Sequence, residues 1–130
     1  MDKPKILIVD DDTGIRDLLK AALTRDIESE IQEAGDGDTA LKLLDKGRFD
    51  LILLDIKMRG ISGIDVLKKT KQAHPETDIL VLSGWDSQQV ATEVLKAGAI
   101  DYIPKPSPIN VICDKVREIL KKKNKFIPKK

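Results

Sequence analysis

Acidic side chains gather directly behind apolar runs in this chain. Asp10, Asp11 and Asp12 follow Ile6-Leu7-Ile8-Val9, and Asp55 follows Leu51-Ile52-Leu53-Leu54. Ser83 closes a third run, Ile79-Leu80-Val81-Leu82, and Lys105, between Pro104 and Pro106, follows a weaker one from Ala99 to Ile103. Crowded carboxylates repel and raise one another's pKa, so such a cluster is kept where something offsets the repulsion. A divalent cation does so. An all-oxygen donor set suits Mg2+, which keeps several waters and takes few protein carboxylates. A bound cation invites a phosphoryl group, whose remaining oxygens a hydroxyl and an ammonium can hold. A carboxylate can itself be the nucleophile, giving an aspartyl phosphate.

These residues act together only if the fold gathers them. Short continuous apolar runs fit strands buried on both faces, as in a parallel sheet. Glu30-Ile31-Gln32-Glu33-Ala34 alternates and suits an edge strand with one wet face. Helical stripes fill the gaps: Ile15, Leu18, Leu19, Ala22 and Leu23; Ala40, Leu41 and Leu44, stopped by Gly47; Ile64 and Leu67, ending before His74-Pro75; Val90, Ala91, Val94 and Leu95, ended by Gly98; and Ile109, Ile112, Cys113, Val116, Ile119 and Leu120. Five β-α units with short loops predict a doubly wound α/β fold, a parallel sheet with helices on both faces. In such sheets ligands bind at the C-terminal strand ends, where the acids, the hydroxyl and the lysine all fall.

Asp10-Asp11, Asp55, Ser83 and Lys105-Pro106, in that order and each just after a predicted strand, resemble the five-part pattern of response-regulator receiver domains. Met58 to Gly63 resembles the family's turn after the acceptor, and Lys96-Ala97-Gly98-Ala99 its lead into strand 5. The resemblance covers residues 5 to about 120. It implies a flavodoxin-like strand order 2-1-3-4-5 and a phosphorelay role, with Asp55 taking phosphoryl from a sensor histidine kinase or phosphotransfer protein. It implies that Mg2+ is held by Asp11, Asp55 and the backbone carbonyl of Lys57, with Asp10 acting through metal-bound water. Ser83 would bond a phosphoryl oxygen, Lys105 would pair with the phosphoryl group, and Lys105–Pro106 would be a cis peptide. Tyr102 stands where the family has a switch aromatic, and the face of helix 4, strand 5 and helix 5 would control an output partner, with homodimerisation on phosphorylation. Lys57 and Trp85 flank the expected approach of hydrolytic water, where Trp85 would shield the pocket. Arg59, Gly84 and Ser107 depart from the family's proline, alanine and phenylalanine, and none removes a chemical group.

Each residue also has a plainer role. An acid at a strand end commonly caps a helix, and Asp12 or Thr13 is the expected cap of helix 1. Ser83 could be a loop hydroxyl, Tyr102 simple packing, Trp85 a partly exposed ring, Cys113 a small core residue and His74 a solvated one. Asp55 is harder to explain this way, because it follows four apolar residues. Two other functions fit parts of the pattern. A haloacid-dehalogenase-type Mg2+ phosphatase would use Asp10 as nucleophile and Asp12 as acid, but Gly14 stands where its motif wants threonine or valine, a late acidic pair is missing, and Asp55 has no task. A receiver-like module working by contacts alone would not need all five residues.

Composition bounds the rest. At 130 residues, 41% hydrophobic and 35% charged, the chain reads as about one folded domain. No run approaches the ~20 apolar residues that span a bilayer. Six of the 23 Lys and Arg lie in the last ten residues, which carry no acid. Residues 1–120 hold the remaining 17 against 22 acids, a formal −5, which argues against direct nucleic-acid binding by the body. We expect a receiver domain over 1–120 and a solvated lysine-rich tail or linker over 121–130, either standing alone or as the receiver piece of a longer protein. The opening Met1–Lys5 lacks an apolar signal core. The single cysteine, Cys113, cannot form an internal disulfide, so the expected compartment is the reducing cytoplasm.

Overall fold

The structure, a computed structural model, describes residues 2–58, 62–84, 88–105 and 107–130. Strands and helices alternate along the chain: β1 (Lys5–Val9), α1 (Thr13–Asp26), β2 (Glu30–Ala34), α2 (Gly37–Lys46), β3 (Leu51–Asp55), α3 (Gly63–Ala73), β4 (Asp78–Ser83), α4 (Gln88–Lys96), β5 (Asp101–Pro104) and α5 (Ile109–Lys122). All five strands run parallel in the order β2-β1-β3-β4-β5. This is the flavodoxin-like order that the resemblance implied.

The apolar runs are continuous because the sheet is covered twice. Successive residues of a strand point to opposite faces. Ile6, Ile8, Leu51, Leu53, Leu80, Leu82 and Ile103 therefore pack with α1 and α5. Leu7, Val9, Ile52, Leu54, Ile79 and Val81 pack with α2, α3 and α4. The edge strand β2 needs no such run, and only Ala34 of its five residues is buried.

Local chemistry sets the helix boundaries. Asp12 caps α1 by accepting from the Ile15 amide at 3.2 Å, and Ser62 caps α3 by accepting from the Ile64 amide at 3.2 Å. Gly63 begins α3 because the helix crosses β3 closely: a Cβ there would lie 2.2 Å from the Ile56 Cα and 2.9 Å from the Asp55 carbonyl oxygen. Gly98 adopts a φ of +111°, a conformation that L side chains rarely take, and ends α4. This corrects the start expected for strand 5. The Ala99 amide still bonds the Val94 carbonyl, so pairing with β4 begins as a ladder only at Asp101.

The lysine-rich segment is not solvated along its length. Helix α5 continues past residue 120 to Lys122, and the chain then folds back across the N-terminal ends of the strands. Phe126 packs on the α1–α5 side of the core with Lys121 5.1 Å above its ring. Pro128 bridges Ile27, and the Glu28 and Lys129 amides bond the Ile127 and Asp26 carbonyls. Lysine count alone concealed Phe126, Ile127 and Pro128, which anchor the segment. Among the described residues, no helix is long and apolar enough to cross a membrane.

Candidate functional site

The parallel order places β1, β3, β4 and β5 side by side, so their C-terminal ends share one rim. Asp10 follows β1 and is 2% exposed, Asp55 ends β3 at 6%, and Ser83 ends β4 fully buried. Lys105 follows β5, and its amide donates to the Ser83 carbonyl at 2.7 Å, which extends the β4–β5 pairing by one residue and brings the lysine over the acids. Its ammonium lies 2.5 Å from Asp10 Oδ2 and 3.5 Å from Asp55 Oδ2.

Each buried acid is held twice. Asp10 Oδ1 accepts from the Asp12 amide at 2.9 Å while Oδ2 meets Lys105. Asp55 Oδ1 accepts from the Lys57 amide at 2.9 Å while Oδ2 faces the same lysine. Burial still pushes the Asp55 carboxyl above its ordinary range. The Lys57 amide and the Lys105 ammonium pull it down, and Asp10 pushes it up again. A carboxylate under this strain gains from any further positive charge brought beside it.

Asp11 is exposed and completes the cluster: one carboxylate oxygen each from Asp10, Asp11 and Asp55 lies within 4.8 Å of the others. Three hard oxygen donors around a rim open to water are the donor set of a cation that keeps water ligands, and they fit Mg2+. The Lys57 side chain is exposed at the rim, beside its own amide bond to Asp55. Tyr102 lies on β5 opposite Val81, half-buried against the α2–α3–α4 side of the core. Of the positions singled out in the sequence, Trp85 and the Lys105–Pro106 peptide lie outside the described residues, as do Arg59 and Gly60. Cys113 is buried in the core. His74 is half-buried, with Nδ1 3.9 Å from Glu76, rather than solvated.

One contributor was missed. Arg16 reaches back from α1, and its Nη1 donates to the Asp10 carbonyl at 2.6 Å. The sequence signal at this helix was its apolar stripe, Ile15, Leu18 and Leu19. Nothing in the spacing of Arg16 says that its guanidinium turns towards the strand ends.

Known proteins share this fold and sequence family. The family model for the response regulator receiver domain matches residues 6–117. The response regulator protein PilR of Pseudomonas aeruginosa is 34% identical over 124 residues, covering 95% of this chain and 28% of PilR. A CheY-like receiver domain from Methanospirillum hungatei superposes with a TM-score of 0.88 at 32% identity, covering 95% of this chain and 98% of that one. A DrrB receiver domain described as activated by BeF3 superposes with a TM-score of 0.85 at 25% identity, covering 92% and 99%. The chain spans about a quarter to a half of the length of curated relatives that it matches. Pattern, fold and relatives agree that the chain belongs to the response regulator receiver domain family of two-component systems.

Proposed function

We propose that Asp55 is the phosphoacceptor of this receiver and that the domain catalyses its own phosphorylation and dephosphorylation. The observation that carries this reading is the gathering of Asp10, Asp11 and Asp55 within 4.8 Å beneath a single lysine that touches two of them. Asp11, Asp55 and the Lys57 carbonyl would hold Mg2+ directly, with Asp10 acting through metal-bound water. When bound, the ion supplies the positive charge that the cluster lacks and draws in the phosphoryl oxygens. The Lys57 amide fixes the direction of the Asp55 carboxylate. An Asp55 oxygen forms the new bond to phosphorus as the P–N bond of a phosphohistidine breaks, and the donor imidazole leaves with the electron pair. Ser83 and Lys105 hold phosphoryl oxygens, sited together by the Lys105 amide bond to the Ser83 carbonyl.

Intact-mass analysis with acetyl phosphate and Mg2+ tests this directly. Wild type gains one phosphate and Asp55→Asn gains none, whereas Asp10→Asn retains an acceptor at Asp55. Uptake by Asp55→Asn would refute the assignment and revive the phosphatase-like use of Asp10. The description of the DrrB receiver as BeF3-activated supports using beryllofluoride as the mimic.

The output reading follows from the same site. Phosphorylation draws Ser83 towards the phosphoryl group, Tyr102 follows, and a two-state equilibrium of the α4–β5–α5 face shifts. That face carries the exposed apolar residues Leu95, Ile100 and Val111, and a homodimer or an output partner would cover them. Amide shift changes confined to residues 10–13, 55–58 and 83, with none around Tyr102 and α4, would contradict this. The donor is a sensor histidine kinase or phosphotransfer protein, the compartment the cytoplasm, and direct nucleic-acid or membrane binding is not a task of this domain. Lys57 and Trp85 set water access to the aspartyl phosphate. Faster decay in Trp85→Glu supports shielding, and equal decay refutes it.

A further inference from the structure

We infer that Arg16 is a positioning residue for the cation site, a clamp that holds the β1–α1 turn so that Asp10 and Asp11 stay gathered before any cation arrives. The inference rests on the reading of the acid cluster as a Mg2+ site and adds a residue that lies outside the cluster.

The geometry is a three-point hold. Arg16 Nη1 donates to the Asp10 carbonyl at 2.6 Å, Nη2 to Thr13 Oγ1 at 3.3 Å, and Nε to Glu33 Oε1 at 3.2 Å. One planar group therefore joins the backbone of the first acid, the first residue of α1 and the end of β2. Glu33 is steadied from its other side by Lys20, 3.6 Å from Oε2. Gly35 leaves the space that the guanidinium fills, since a Cβ there would stand 3.3 Å from Nη1. The Asp10 amide donates to the Ala34 carbonyl at 3.1 Å, so both ends of that residue's backbone are pinned, one by the sheet and one by the arginine.

The turn needs such a hold. Three consecutive acids leave the sheet there, and among the described residues the one ammonium that touches them, Lys105, meets Asp10 rather than Asp11. Without the clamp the turn can relieve repulsion by opening, and the cation must then gather the carboxylates at its own expense. Arg16 does this by direction rather than by charge. Its fork presents three fixed N–H bonds to three acceptors, which a lysine ammonium cannot reproduce at those positions.

Direction and charge predict opposite outcomes. If Arg16 acts by its fork, Arg16→Lys keeps the charge but weakens Mg2+ binding by about tenfold, the scale seen when a group that orients a metal ligand is removed. Isothermal titration calorimetry of the unphosphorylated full chain reads this without any activity. If Arg16 were only a nearby positive charge, Arg16→Lys would bind Mg2+ like wild type and Arg16→Gln would bind it more tightly. Either result overturns the proposal. Glu33→Ala, which removes the acceptor of Nε without touching the arginine, gives a smaller loss in the same direction, and an unchanged Kd there also overturns it. Hydrogen exchange at residues 10–13 without metal separates this idea from the reading beneath it. Exchange is faster in Arg16→Lys than in wild type if the clamp exists, and equal if it does not. A wild type that binds no Mg2+ overturns the assignment of the cation site instead.

Discussion

At the N-terminal ends of the strands, Glu28, Asp50 and Asp78 each face a tail lysine of their own: Lys129 at 3.5 Å, Lys125 at 3.9 Å and Lys123 at 3.2 Å. At the C-terminal ends, Asp10 and Asp55 share Lys105, and no ion pair among the described residues involves Asp11. The two rims have similar raw materials and opposite states. At the lower rim every one of these acids has a lysine partner, Glu28 a second in Lys3 at 3.6 Å, and the backbone there is bonded as well: the Lys5 amide to Asp50 at 2.8 Å and the Lys123 ammonium to the Glu76 carbonyl at 2.8 Å. At the upper rim negative charge exceeds positive, and burial adds to the imbalance at Asp55. Matched charge contributes modestly to stability. Unmatched charge is a cost to the folded chain, and under the proposed function a cation and a phosphoryl group would relieve it.

The largest effect that separates the rims is on phosphoryl uptake. Lys105→Ala should slow uptake from acetyl phosphate by at least about a hundredfold, the order seen when one preorganised donor to a reacting oxyanion is lost. Lys123→Ala combined with Lys125→Ala should leave the rate unchanged. A large loss in the double variant would show that the rims are coupled and would break the contrast.

Next comes stability. Removing residues 123–130 takes away the packing of Phe126, the bridge to Ile27 and three ion pairs. Burying part of one aromatic side chain contributes about 2 kcal/mol, so the melting temperature should fall by about 8 °C for a chain of this size. Calorimetry that shows no change would mean that the segment is held too weakly to count as part of the fold.

The upper rim should behave in the opposite sense. Its folded-state pKa at Asp55 lies above the unfolded value, so the protonated carboxyl is the better-tolerated form. Stability contributed by this group is present below the unfolded pKa and is lost as pH rises through the folded one. Asp55→Asn should therefore melt higher than metal-free wild type at neutral pH, with the difference shrinking in mild acid. Mg2+ should narrow or reverse the gap, since ligand at ten times its Kd stabilises wild type by about 1.4 kcal/mol. A metal-free Asp55→Asn that melts lower at neutral pH would remove the argument from strain.

The smallest effect sharpens the comparison. Lys129→Ala should cost no more than about 1 kcal/mol, because both partners of its ion pair with Glu28 are partly exposed. That cost should shrink further in about 0.5 M KCl, where screening shortens the reach of surface charges.

Most of this architecture was legible in the residue order. Runs such as Leu51–Leu54 are apolar at every position because helices cover both faces of the sheet, and that demand is local enough to read directly. The positions of Asp10, Asp11, Asp55, Ser83 and Lys105 behind those runs were equally plain, since parallel strands must bring their ends to one side. A cap of α1 at Asp12 or Thr13 followed from backbone amides that need an acceptor, and the structure selects Asp12. What the residue order alone did not decide were the contacts made between distant segments. Lys105 meets Asp10 across 95 positions of chain. Arg16 turns away from its own helix towards Asp10 and Glu33, and the tail returns to Ile27. A long polar side chain has no periodicity to betray its direction, and an eight-residue strap has too few apolar residues to show a pattern. Their conformations are set by which acceptors and apolar surfaces the rest of the fold happens to present, so only the tertiary structure could choose them.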